Sequence, residues 1–396
     1  MKGWQFKKLN DLCEFRNGLW KGKNPPYQTV GVIRNTNFTK DGFLDDSNIA
    51  YLEVEIKQYS TRKLYAGDLI LEKSGGGPKQ PVGRVILFDE EKGEFSFSNF
   101  TSIIRVRDRS TLLPKYLHKV LHFFYLSGVT ESMQKNSTNI RNLQLKEYKE
   151  IEVPVPPIAE QKRIVAIVDE VFEGIDSAIA NAEKNLANAR ELFESCLSSL
   201  DAEKRSLGDL VNIRTGKLNA NAATEGGQYP FFTCSRDIYQ IDHYAFDCEA
   251  ILLAGNNAVG DFNVKHYRGK FNAYQRTYVI TVNQNSEILY RYLYFQLLKS
   301  LKEFKSKSVG AGTRFLKLDM IKDLQISLPS LDEQEKIIAV LDELREAVQE
   351  LEAIYQRKLA ALNELKQSIL QKAFSGELTA EAGDRAVEGA KAVVAA

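Results

Sequence analysis

The spacing of apolar residues predicts two long amphipathic helices. Over residues 157–200, apolar or small side chains recur in steps of three and four from Ile164 onward. Residues 329–374 show the same spacing from Ile337 onward. A stripe that persists this far is typical of a coiled-coil seam rather than of an ordinary surface helix. Each helix would be roughly 65 Å long at about 1.5 Å per residue, so we interpret the pair as a rigid spacer.

The two helical segments are copies of each other, set 173 residues apart. Both seams contain two consecutive steps of four, at Ala178-Ala182-Leu186 and at Leu351-Tyr355-Leu359. Such a stutter locally unwinds a supercoil, and two helices with matching stutters are suited to pair with each other. The matched positions include Pro156 and Pro329, Glu160-Gln161 and Glu333-Gln334, and Asp169-Glu170 and Asp342-Glu343.

The segments before the two helices repeat as well. In the first segment, the patterns predict short strands and one helix that begins near Pro114; these elements are Val30–Ile33, Asp68–Leu71, Glu94–Asn99, Thr101–Val106 and the helix Leu113–Leu126. The second segment repeats this order, with matches such as Leu9 to Leu207, Gly18 to Gly216, Ile70-Leu71 to Ile251-Leu252, Val82-Gly83 to Val259-Gly260, and Arg141 to Arg314. The chain is therefore one domain–helix unit that has been duplicated.

This duplication predicts an α+β fold with two pseudo-repeated α/β domains and a pair of long coiled-coil helices. Ser330 and Glu333 form a capping box at the start of the second helix, and Ser375-Gly376 is a plausible end. We expect the tail to be mobile because it is rich in Ala, Glu and Gly. The predicted divisions are domain 1 (1–156), helix 1 (157–201), domain 2 (202–329), helix 2 (330–376) and the tail (377–396).

Charge is segregated along the chain, although the net charge is only +1. Residues 1–150 carry a net charge of +7 and residues 205–325 carry +5, whereas 151–204 carry −6 and 326–396 carry −5. Basic domains favour a polyanion such as DNA. The alternative interpretation is that helix surfaces are often rich in Glu and sheet domains are often mildly basic.

Several classes of protein are not indicated. The four cysteines show no C-x-x-C spacing, so neither a disulfide framework nor a zinc site is expected. His118 and His122 lie four residues apart, but no third ligand accompanies them and their apolar neighbours favour core packing. No apolar segment is long enough for a membrane helix or a signal peptide, and we expect an intracellular protein.

Four segments resemble the specificity subunit of type I restriction–modification enzymes. They are Pro154–Val165 (PVPPIAEQKRIV), Leu328–Ile338 (LPSLDEQEKII), the ending Ala373–Leu378, and Gly67–Leu71, which is similar to a Gly-Asp-hydrophobic strand of that family. The resemblance covers nearly the whole chain. It implies two target recognition domains separated by a pair of antiparallel helices, with each domain reading half of an interrupted, asymmetric DNA sequence.

The resemblance also implies partners. The helices would dock modification subunits, expected to be two, which methylate adenine, and the assembly can recruit restriction subunits. This chain would be a non-catalytic host-defence protein that binds double-stranded DNA in the prokaryotic cytoplasm, associated with the nucleoid and with no membrane. It would bind no cofactor itself, because S-adenosylmethionine, ATP and magnesium are expected on the partner subunits.

One motif favours a different function. Asn24-Pro25-Pro26-Tyr27 matches the tetrapeptide with which adenine-N6 methyltransferases hold a flipped base. That chemistry needs the tetrapeptide at the end of a buried strand, beside a Gly-rich loop, but Lys21-Gly22-Lys23 is polar and no such loop is evident. We therefore interpret it as a Pro-rich turn and keep a self-contained methyltransferase as the alternative. A scaffold without sequence preference is a third hypothesis.

The candidate DNA-binding residues lie in loops, and in each case a merely structural role is the alternative. The loop that begins at Ser74 follows a strand and could hold phosphate through its amides, although it lacks the P-loop ending. Polar residues at equivalent places before each helix offer the groups that base edges and phosphates bind. The candidates are Lys73, Ser74, Gly75, Gly76, Lys79, Arg84, Asn136, Thr138, Asn139, Arg141, Asn256, Asn257, Lys265, Arg268, Arg276, Lys307, Thr313 and Arg314.

One group of these candidates is interleaved with aromatic residues. Lys265, Arg268 and Arg276 alternate with Tyr267, Phe271 and Tyr274. A basic–aromatic cluster of this kind suits DNA contact, but the same alternation is typical of a half-exposed strand. The second domain also has Gly255-Asn256-Asn257 where the first has Ser74-Gly75-Gly76-Gly77, so the two loops need not contact DNA in the same way.

Overall fold

A computed structural model describes residues 4–20, 24–76, 80–137, 140–198 and 202–379 of the chain. The chain divides into two compact units, of which the first comprises Met1–Ala182 and Arg357–Ala396 and the second comprises Glu183–Gln356. Each unit therefore combines one mixed domain with about half of each long helix. Most of the predicted mobile tail, from residue 380 onward, lies outside the described residues.

The domain of the first unit mixes short strands with short helices. Its strands are β1 (Gln5–Lys8), β2 (Cys13–Asn17), β3 (Tyr27–Ile33), β4 (Ala50–Glu55), β5 (Asp68–Glu72), β6 (Ser74–Gly76), β7 (Val85–Phe88), β8 (Phe95–Phe97), β9 (Thr101–Val106), β10 (Gln134–Ser137), β11 (Ile140–Leu143) and β12 (Glu152–Val155). Its helices are α1 (Leu9–Leu12), α2 (Ile56–Arg62), α3 (Pro114–Leu126) and α4 (Leu145–Lys149), with 3-10 turns at Asn35–Asn37 and Glu131–Met133.

The strands of the first domain form several small sheets. The central sheet has the order β2-β9-β5-β7, and a second sheet has the order β4-β3-β8. Strands β10, β11 and β6 form a third sheet, and β1 pairs with β12. Helix α3 packs on the central sheet because Tyr116, Leu117, Val120 and Leu121 on one of its faces are buried in the core.

The domain of the second unit has the same kinds of element. Its strands are β13 (Lys204–Ser206), β14 (Val211–Thr215), β15 (Tyr229–Phe232), β16 (Tyr239–Ile241), β17 (Phe246–Ala254), β18 (Asn256–Asn257), β19 (Val264–Ala273), β20 (Thr277–Val282), β21 (Arg314–Phe315) and β22 (Gln325–Ser327). Its helices are α6 (Leu207–Leu210), α7 (Tyr290–Lys299), α8 (Leu301–Lys307) and α9 (Leu318–Lys322), with a 3-10 turn at Ala220–Ala222. The long helices are α5 (Ile158–Ser198) and α10 (Leu331–Ser375).

The two domains share one strand topology, which confirms the duplicated fold. The order β14-β20-β17-β19 repeats β2-β9-β5-β7, and β13 pairs with β22 as β1 pairs with β12. In the first domain β3 pairs in parallel with β8, which precedes β9 in the chain. In the second domain β15 pairs in parallel with the end of β19, which precedes β20 in the same way. Strand β4 pairs with β3 as β16 pairs with β15, whereas helix α2, which lies between Gly18 and Ile70, has no counterpart among the described elements of the second domain.

The strand register corrects two of the sequence matches. Leu69 lies opposite Ile104 in the first domain, and Ile251 lies opposite Ile280 in the second. Because Thr101 and Thr277 begin the equivalent strands β9 and β20, Ile251 corresponds to Leu69, and the match of Ile70-Leu71 to Ile251-Leu252 is one residue out of step. The match of Val82-Gly83 to Val259-Gly260 is also wrong. The amide of Glu72 donates to the carbonyl of Arg84, and the amide of the equivalent Ala254 donates to the carbonyl of Asn263. Arg84 therefore corresponds to Asn263, and the two glycines do not correspond to each other.

Within each unit the helix segments continue the core of the domain. In the first unit, residues from Ile164 to Ala178 of α5 pack with Leu362, Ile369 and Ala373 of α10 in the domain core. The segments run antiparallel there. The hydroxyl of Thr379 donates to the carboxylate of Glu160 near the start of α5, whereas Lys366, earlier in α10, pairs with Asp176, later in α5. In the second unit, Leu341 of α10 is buried in the domain core, and Arg190 of α5 pairs with Glu352 at 2.6 Å.

The predicted seam is clearer in α5 than in α10. Ala178, Ala182 and Leu186 are all buried, as the stutter pattern predicts. Leu351, at the matching stutter of α10, is 37% exposed, so that part of the predicted seam is open to solvent.

At the start of α10, the carboxylate of Glu333 accepts hydrogen bonds from the backbone N–H and the hydroxyl of Ser330, at 3.0 and 2.9 Å. These bonds lower the pKa of Glu333.

Candidate nucleic-acid interface

In each domain, backbone pairing joins the segment after the central strand to the segment before the last short helix. In the first domain Gly76 of β6 lies opposite Arg141 of β11, and Ser74 lies opposite Asn142. We call this surface, formed by β6, β10 and β11, edge 1. In the second domain Asn256 and Asn257 of β18 lie opposite Phe315 and Arg314 of β21. We call this surface, formed by β18 and β21, edge 2.

The same backbone hydrogen bonds hold both edges. The amide of Leu143 donates to the carbonyl of Lys73 at 2.8 Å, and the amide of Leu316 donates to the carbonyl of Gly255 at 2.9 Å. The next amide bond is also repeated, because Lys73 donates to Phe100 and Gly255 donates to Arg276. Two loops that are more than 55 residues apart in the sequence are therefore brought together twice in the same way. The sequence predicted these loops separately but did not predict that they meet.

Edge 1 combines hydroxyl, amide and basic groups. The Ser74 hydroxyl lies 2.6 Å from Oδ1 of Asn142, and the Lys73 ammonium donates to Oδ1 of Asn17 at 2.9 Å. Burial lowers the pKa of Lys73. The amides of Lys73 and Ser74 both donate to the carbonyl of Phe100, so these two amides are not available to hold a phosphate. The phosphate-cradle interpretation is therefore wrong for the Ser74 amide and stays a prediction for the rest of the loop.

Some edge 1 candidates cannot be placed. Lys79, Thr138 and Asn139 lie outside the described residues, and of Asn136 only the backbone, opposite Arg141, is described. Their predicted DNA contacts stay predictions.

Arg84 is not one of the DNA-binding residues, contrary to the prediction, because its guanidinium lies in the core. It forms a two-point pair with Glu72, at 2.8 and 2.9 Å, and also donates to the carbonyl of Phe38 at 2.9 Å. Both Arg84 and Glu72 are buried. Burial alone would lower the pKa of Arg84, but the bonds and the attraction to Glu72 outweigh it and raise that pKa. Arg84 therefore stabilises the domain and does not face DNA.

Edge 2 presents two exposed guanidinium groups. Arg314 donates to the carbonyl of Ser308 at 2.9 Å, and Arg276 lies over the ring of Phe315 at 5.7 Å. Oδ1 of Asn257 accepts from the amides of Val259 and Asp261, at 2.9 and 3.1 Å. One side of the Asn257 amide group therefore orders its own loop. Asn256 is half-buried beside it.

Two further candidates flank edge 2. Thr313 directly precedes β21, and Lys307 is exposed at the end of α8, where it pairs with Glu303 at 2.6 Å. Both remain near the predicted surface.

The basic–aromatic cluster divides between two faces of β19. Phe271 is fully buried and Tyr267 packs against Phe232 at 5.3 Å, so these rings belong to the core. Arg268 is exposed opposite Glu249. Lys265 is half-buried and donates to the carbonyl of Ser235 and to Asn263, both at 2.6 Å, and burial lowers its pKa. The alternation is therefore that of a half-exposed strand.

The sequence did not predict a cleft next to edge 1. It has a volume of about 600 Å³ and is lined by Arg34, Asn35, Ser98, Asn99 and the exposed Tyr51, among others. The Asn35 side chain donates to the carbonyl of Ser74 at 3.4 Å, which connects the cleft to edge 1. With Asn99, the cleft therefore places two side-chain amides beside the candidate interface.

The methyltransferase tetrapeptide occupies the wrong place for catalysis. Tyr27 begins strand β3, whereas that chemistry needs the tetrapeptide to follow a buried strand. Asn24 is exposed, and the carbonyl of Pro26 accepts the amide of Ile56 at 3.0 Å. His118 and His122 are buried in the core, and Nε2 of His118 lies 2.9 Å from the carbonyl oxygen of Gly42. In the part of the chain that the structure describes, no cluster of His, Cys, Asp or Glu could hold a metal ion.

Comparison with known families defines the class of protein. The model of the type I restriction modification DNA specificity domain matches residues 1–186 and again residues 200–360. The chain therefore belongs to this family, and it is a DNA-recognition protein rather than an enzyme. The two matches correspond to the duplication found in the sequence. They do not support a self-contained methyltransferase.

Individual relatives are also named as type I restriction enzyme specificity subunits. The chain is 41% identical to the type I restriction enzyme EcoDI specificity subunit of Escherichia coli over 46% of this chain and 40% of that protein. This match therefore spans less than half of that relative. The chain is also 22% identical to the putative type I restriction enzyme MjaX specificity subunit of Methanocaldococcus jannaschii, over 95% of this chain and 93% of that protein.

Two solved structures share the fold. One, from a study of complex assembly and conformational transition of the type I R-M system, has a TM-score of 0.75 at 19% identity, over 96% of this chain and 99% of that chain. The other, the HsdS subunit from Thermoanaerobacter tengcongensis, has a TM-score of 0.54 at 18% identity, over 96% and 98% of the two chains. Among the described residues, no helix has the length and apolar character needed to span a membrane.

Proposed function

We propose that the two edges read the two halves of an interrupted and asymmetric DNA target. The observation that carries the proposal is that edge 1 and edge 2 share one backbone arrangement but carry different side chains. Ser74 and Gly75 at edge 1 stand where Asn256 and Asn257 stand at edge 2. A common frame with different polar groups suits two readers of different base sequences, because direct readout depends on the donor and acceptor pattern in the major groove.

The edges carry both kinds of group that DNA recognition needs. Arg141 and Arg314 occupy equivalent positions, and guanidinium groups bind guanine edges or phosphates. Lys73 and Lys307 would neutralise phosphates, which gives an affinity that falls with salt concentration. The cleft beside edge 1 adds Asn35 and Asn99, whose amides suit adenine.

The long helices would supply the spacing and the docking surfaces. Helices α5 and α10 contain 41 and 45 residues, so they are long enough to set a gap between half-sites. Their exposed apolar residues, such as Leu192, Val340 and Ile354, suit contact with protein partners. We propose that two modification subunits dock on the chain and that restriction subunits join them. S-adenosylmethionine, ATP and magnesium would be held by those partners, in the cytoplasm of the host cell.

Two assays test this function. The purified chain is incubated with methyl donor and a duplex that contains the target, with and without the modification subunit, and methyl transfer is expected only when that subunit is present. Transfer by the chain alone would contradict the proposal. In the second assay, binding to target and scrambled duplexes is compared at physiological salt. Specific binding should exceed non-specific binding at least about 1000-fold, and equal binding would instead indicate a scaffold without sequence preference.

A further inference from the structure

A groove in the second unit is lined by cations that the sequence analysis did not single out. It lies where the loop Gly260–Val264 meets helices α7, α8 and α10, and its volume is about 370 Å³. Its charged lining residues are Arg236, Lys302, Lys305, Arg345 and one carboxylate, Asp261. We call it the basic groove. Four cations and one anion leave its lining with a net positive charge.

The ion pairs in the basic groove do not cancel this charge. Arg236 pairs with Asp261 at 2.8 Å, and Lys302 pairs with Glu194. All four side chains are more than half exposed, and ion pairs in such positions are weak and screened by salt. Within the described residues, Lys305 makes no ion pair with a carboxylate.

Arg345 is held by an aromatic ring instead of a carboxylate. Its guanidinium lies over the ring of Tyr294 at 5.0 Å. A stacked guanidinium is already oriented and keeps its in-plane donors for an anion. In the described part of the chain Arg345, like Lys305, is not ion-paired. The groove therefore contains two cations that could bind phosphate without first breaking an ion pair.

The basic groove adjoins edge 2 through Gly260. A side-chain carbon at Gly260 would lie 3.4 Å from Cγ of Arg314 and 3.4 Å from Cγ of Lys305. Gly260 has a φ of +74°, which favours glycine. Arg314 of edge 2 and Lys305 of the basic groove therefore flank the same glycine. Asp261, which follows this glycine, is the carboxylate at the junction, and it is paired with Arg236.

The equivalent place in the first unit is filled and nearly neutral. Phe172 stands 173 residues before Arg345, at the same position of the helix repeat. There the loop Thr39–Phe43 lies against helix α3, because the carbonyl of Gly42 is 2.9 Å from Nε2 of His118. The small cleft that remains is lined by two cations and two carboxylates, Lys115, Lys119, Asp89 and Asp169. The basic groove is thus a property of the second unit.

We propose that the basic groove binds the phosphate backbone of the DNA that flanks the second half-site. This inference rests on the proposed function and extends it, because it assigns a backbone contact outside edge 2. Phosphate contacts position a protein on the duplex and carry no direct sequence information. The groove therefore strengthens binding to target and non-target duplexes alike, and the second unit holds DNA over a longer stretch than the first.

The test compares two double variants of the full chain. Arg236→Gln with Lys305→Gln removes two positive charges from the basic groove. Lys8→Gln with Lys115→Gln removes two exposed charges from the first unit and serves as the matched control. Binding to fluorescent target and scrambled duplexes is measured by anisotropy between about 50 and 250 mM salt. Arg314→Gln is included as an edge 2 variant.

We expect the groove variant to reduce the slope of log K against log salt by about 2, since each phosphate contact contributes about 0.9. Affinity for both duplexes should fall together, so that the ratio between them stays unchanged. The control should retain the slope of the original chain.

The other outcomes separate this inference from the proposed function. If the groove variant matches the control while Arg314→Gln weakens binding, the inference is overturned and the proposed function stands. If the groove variant changes the ratio between target and scrambled duplexes, the groove reads bases and the inference is likewise overturned. Unchanged DNA binding with loss of a co-purifying modification subunit would show that the groove binds protein instead. If the original chain does not distinguish the two duplexes, the proposed function itself fails.

Discussion

Gln161 binds the backbone of Leu113 with its side-chain oxygen, and this contact ties the first long helix to its domain. Oε1 of Gln161 accepts the Leu113 amide at 2.9 Å, while Nε2 donates to the carbonyls of Thr111 and Pro156 at 2.9 and 2.8 Å. Gln161 is completely buried. The side chain thus satisfies three backbone groups at the point where domain and helix meet.

Gln334 repeats this arrangement in the second unit. Its Oε1 accepts the Leu289 amide at 2.9 Å, and its Nε2 donates to the carbonyls of Glu287 and Pro329 at 2.8 and 2.9 Å. The repeated Glu-Gln dipeptide of the sequence therefore marks a structural joint, and the Gln is the member that forms it. A domain that is fixed to its helix in this way presents its edge in a defined direction relative to that helix.

Substituting Gln161 with Leu should destabilise the first unit by about 3 kcal/mol, because it leaves buried backbone groups without partners. Both tryptophans, Trp4 and Trp20, lie in the first unit, so tryptophan fluorescence during urea unfolding reports on that unit. Gln334→Leu should leave this transition unchanged and instead speed hydrogen exchange in helix α7. The exposed Gln349→Leu is the control. Equal effects of all three variants on the tryptophan transition would contradict the joint.

Arg84 should behave as a structural residue and not as a DNA contact. Arg84→Met leaves Glu72 buried without its partner, and breaking such a pair costs about 3 to 5 kcal/mol. Arg16→Met, which removes an exposed pair with Glu14, should cost less than about 1 kcal/mol. Urea unfolding followed by tryptophan fluorescence measures both. Once the folded fraction is accounted for, DNA affinity should not change, and a selective loss of affinity would return Arg84 to the interface.

Acid should weaken the first unit through two buried histidines. Burial, together with nearby positive charge from Lys119, lowers the pKa of His118 to about 3 and that of His122 to about 4. In the unfolded chain these groups bind protons near pH 6.5, so the unfolded state binds more protons and stability falls as the pH drops below that value. At pH 5 the loss is about 2 kcal/mol for each fully shifted histidine.

The measurement is the urea midpoint of the tryptophan transition between about pH 7.5 and 5. His118→Gln should make the urea midpoint depend less steeply on pH, whatever its effect on stability at neutral pH. A variant that keeps the full slope would show that other groups cause the acid sensitivity.

Lengthening both helices should change the gap in the DNA target. Four residues are inserted into Asn181–Asn188 of α5 and four into Ile354–Ala361 of α10, which is the same segment of the repeat. The insertion adds about 6 Å at 1.5 Å per residue, and base pairs are spaced about 3.4 Å apart, so the gap should grow by one or two base pairs. Asn185→Ala with Asn188→Ala, which changes the segment without lengthening it, should keep the gap. An unchanged gap in the lengthened chain would remove the spacer role of the helices.

The sequence predicted the elements well because each depends on a local pattern. The seam that includes Ile164 and the β9 segment Thr101–Val106 could be read from periodicity alone. The slip between Ile70 and Ile251 arose because insertions change the register, and only backbone pairing fixes it. Arg84 was misplaced because a sequence does not show that Glu72 lies beside it in the core.

The interface was only partly predictable for a related reason. Each loop of an edge carries its own polar pattern, but their meeting depends on strand pairing between segments far apart in the chain. The basic groove could not be predicted, since Arg236, Lys305 and Arg345 come from three different elements. No local pattern connects these residues.

The most direct test of the central claim is to sequence methylated adenines in the genome of a host that expresses this chain with its modification subunit. The original chain should direct methylation to two short sequences separated by a fixed gap. Arg141→Gln should relax only one of these sequences and Arg314→Gln only the other, each at a cost of about 1 to 3 kcal/mol in binding. A single uninterrupted target, or two variants that relax the same bases, would contradict the claim that each domain reads its own half.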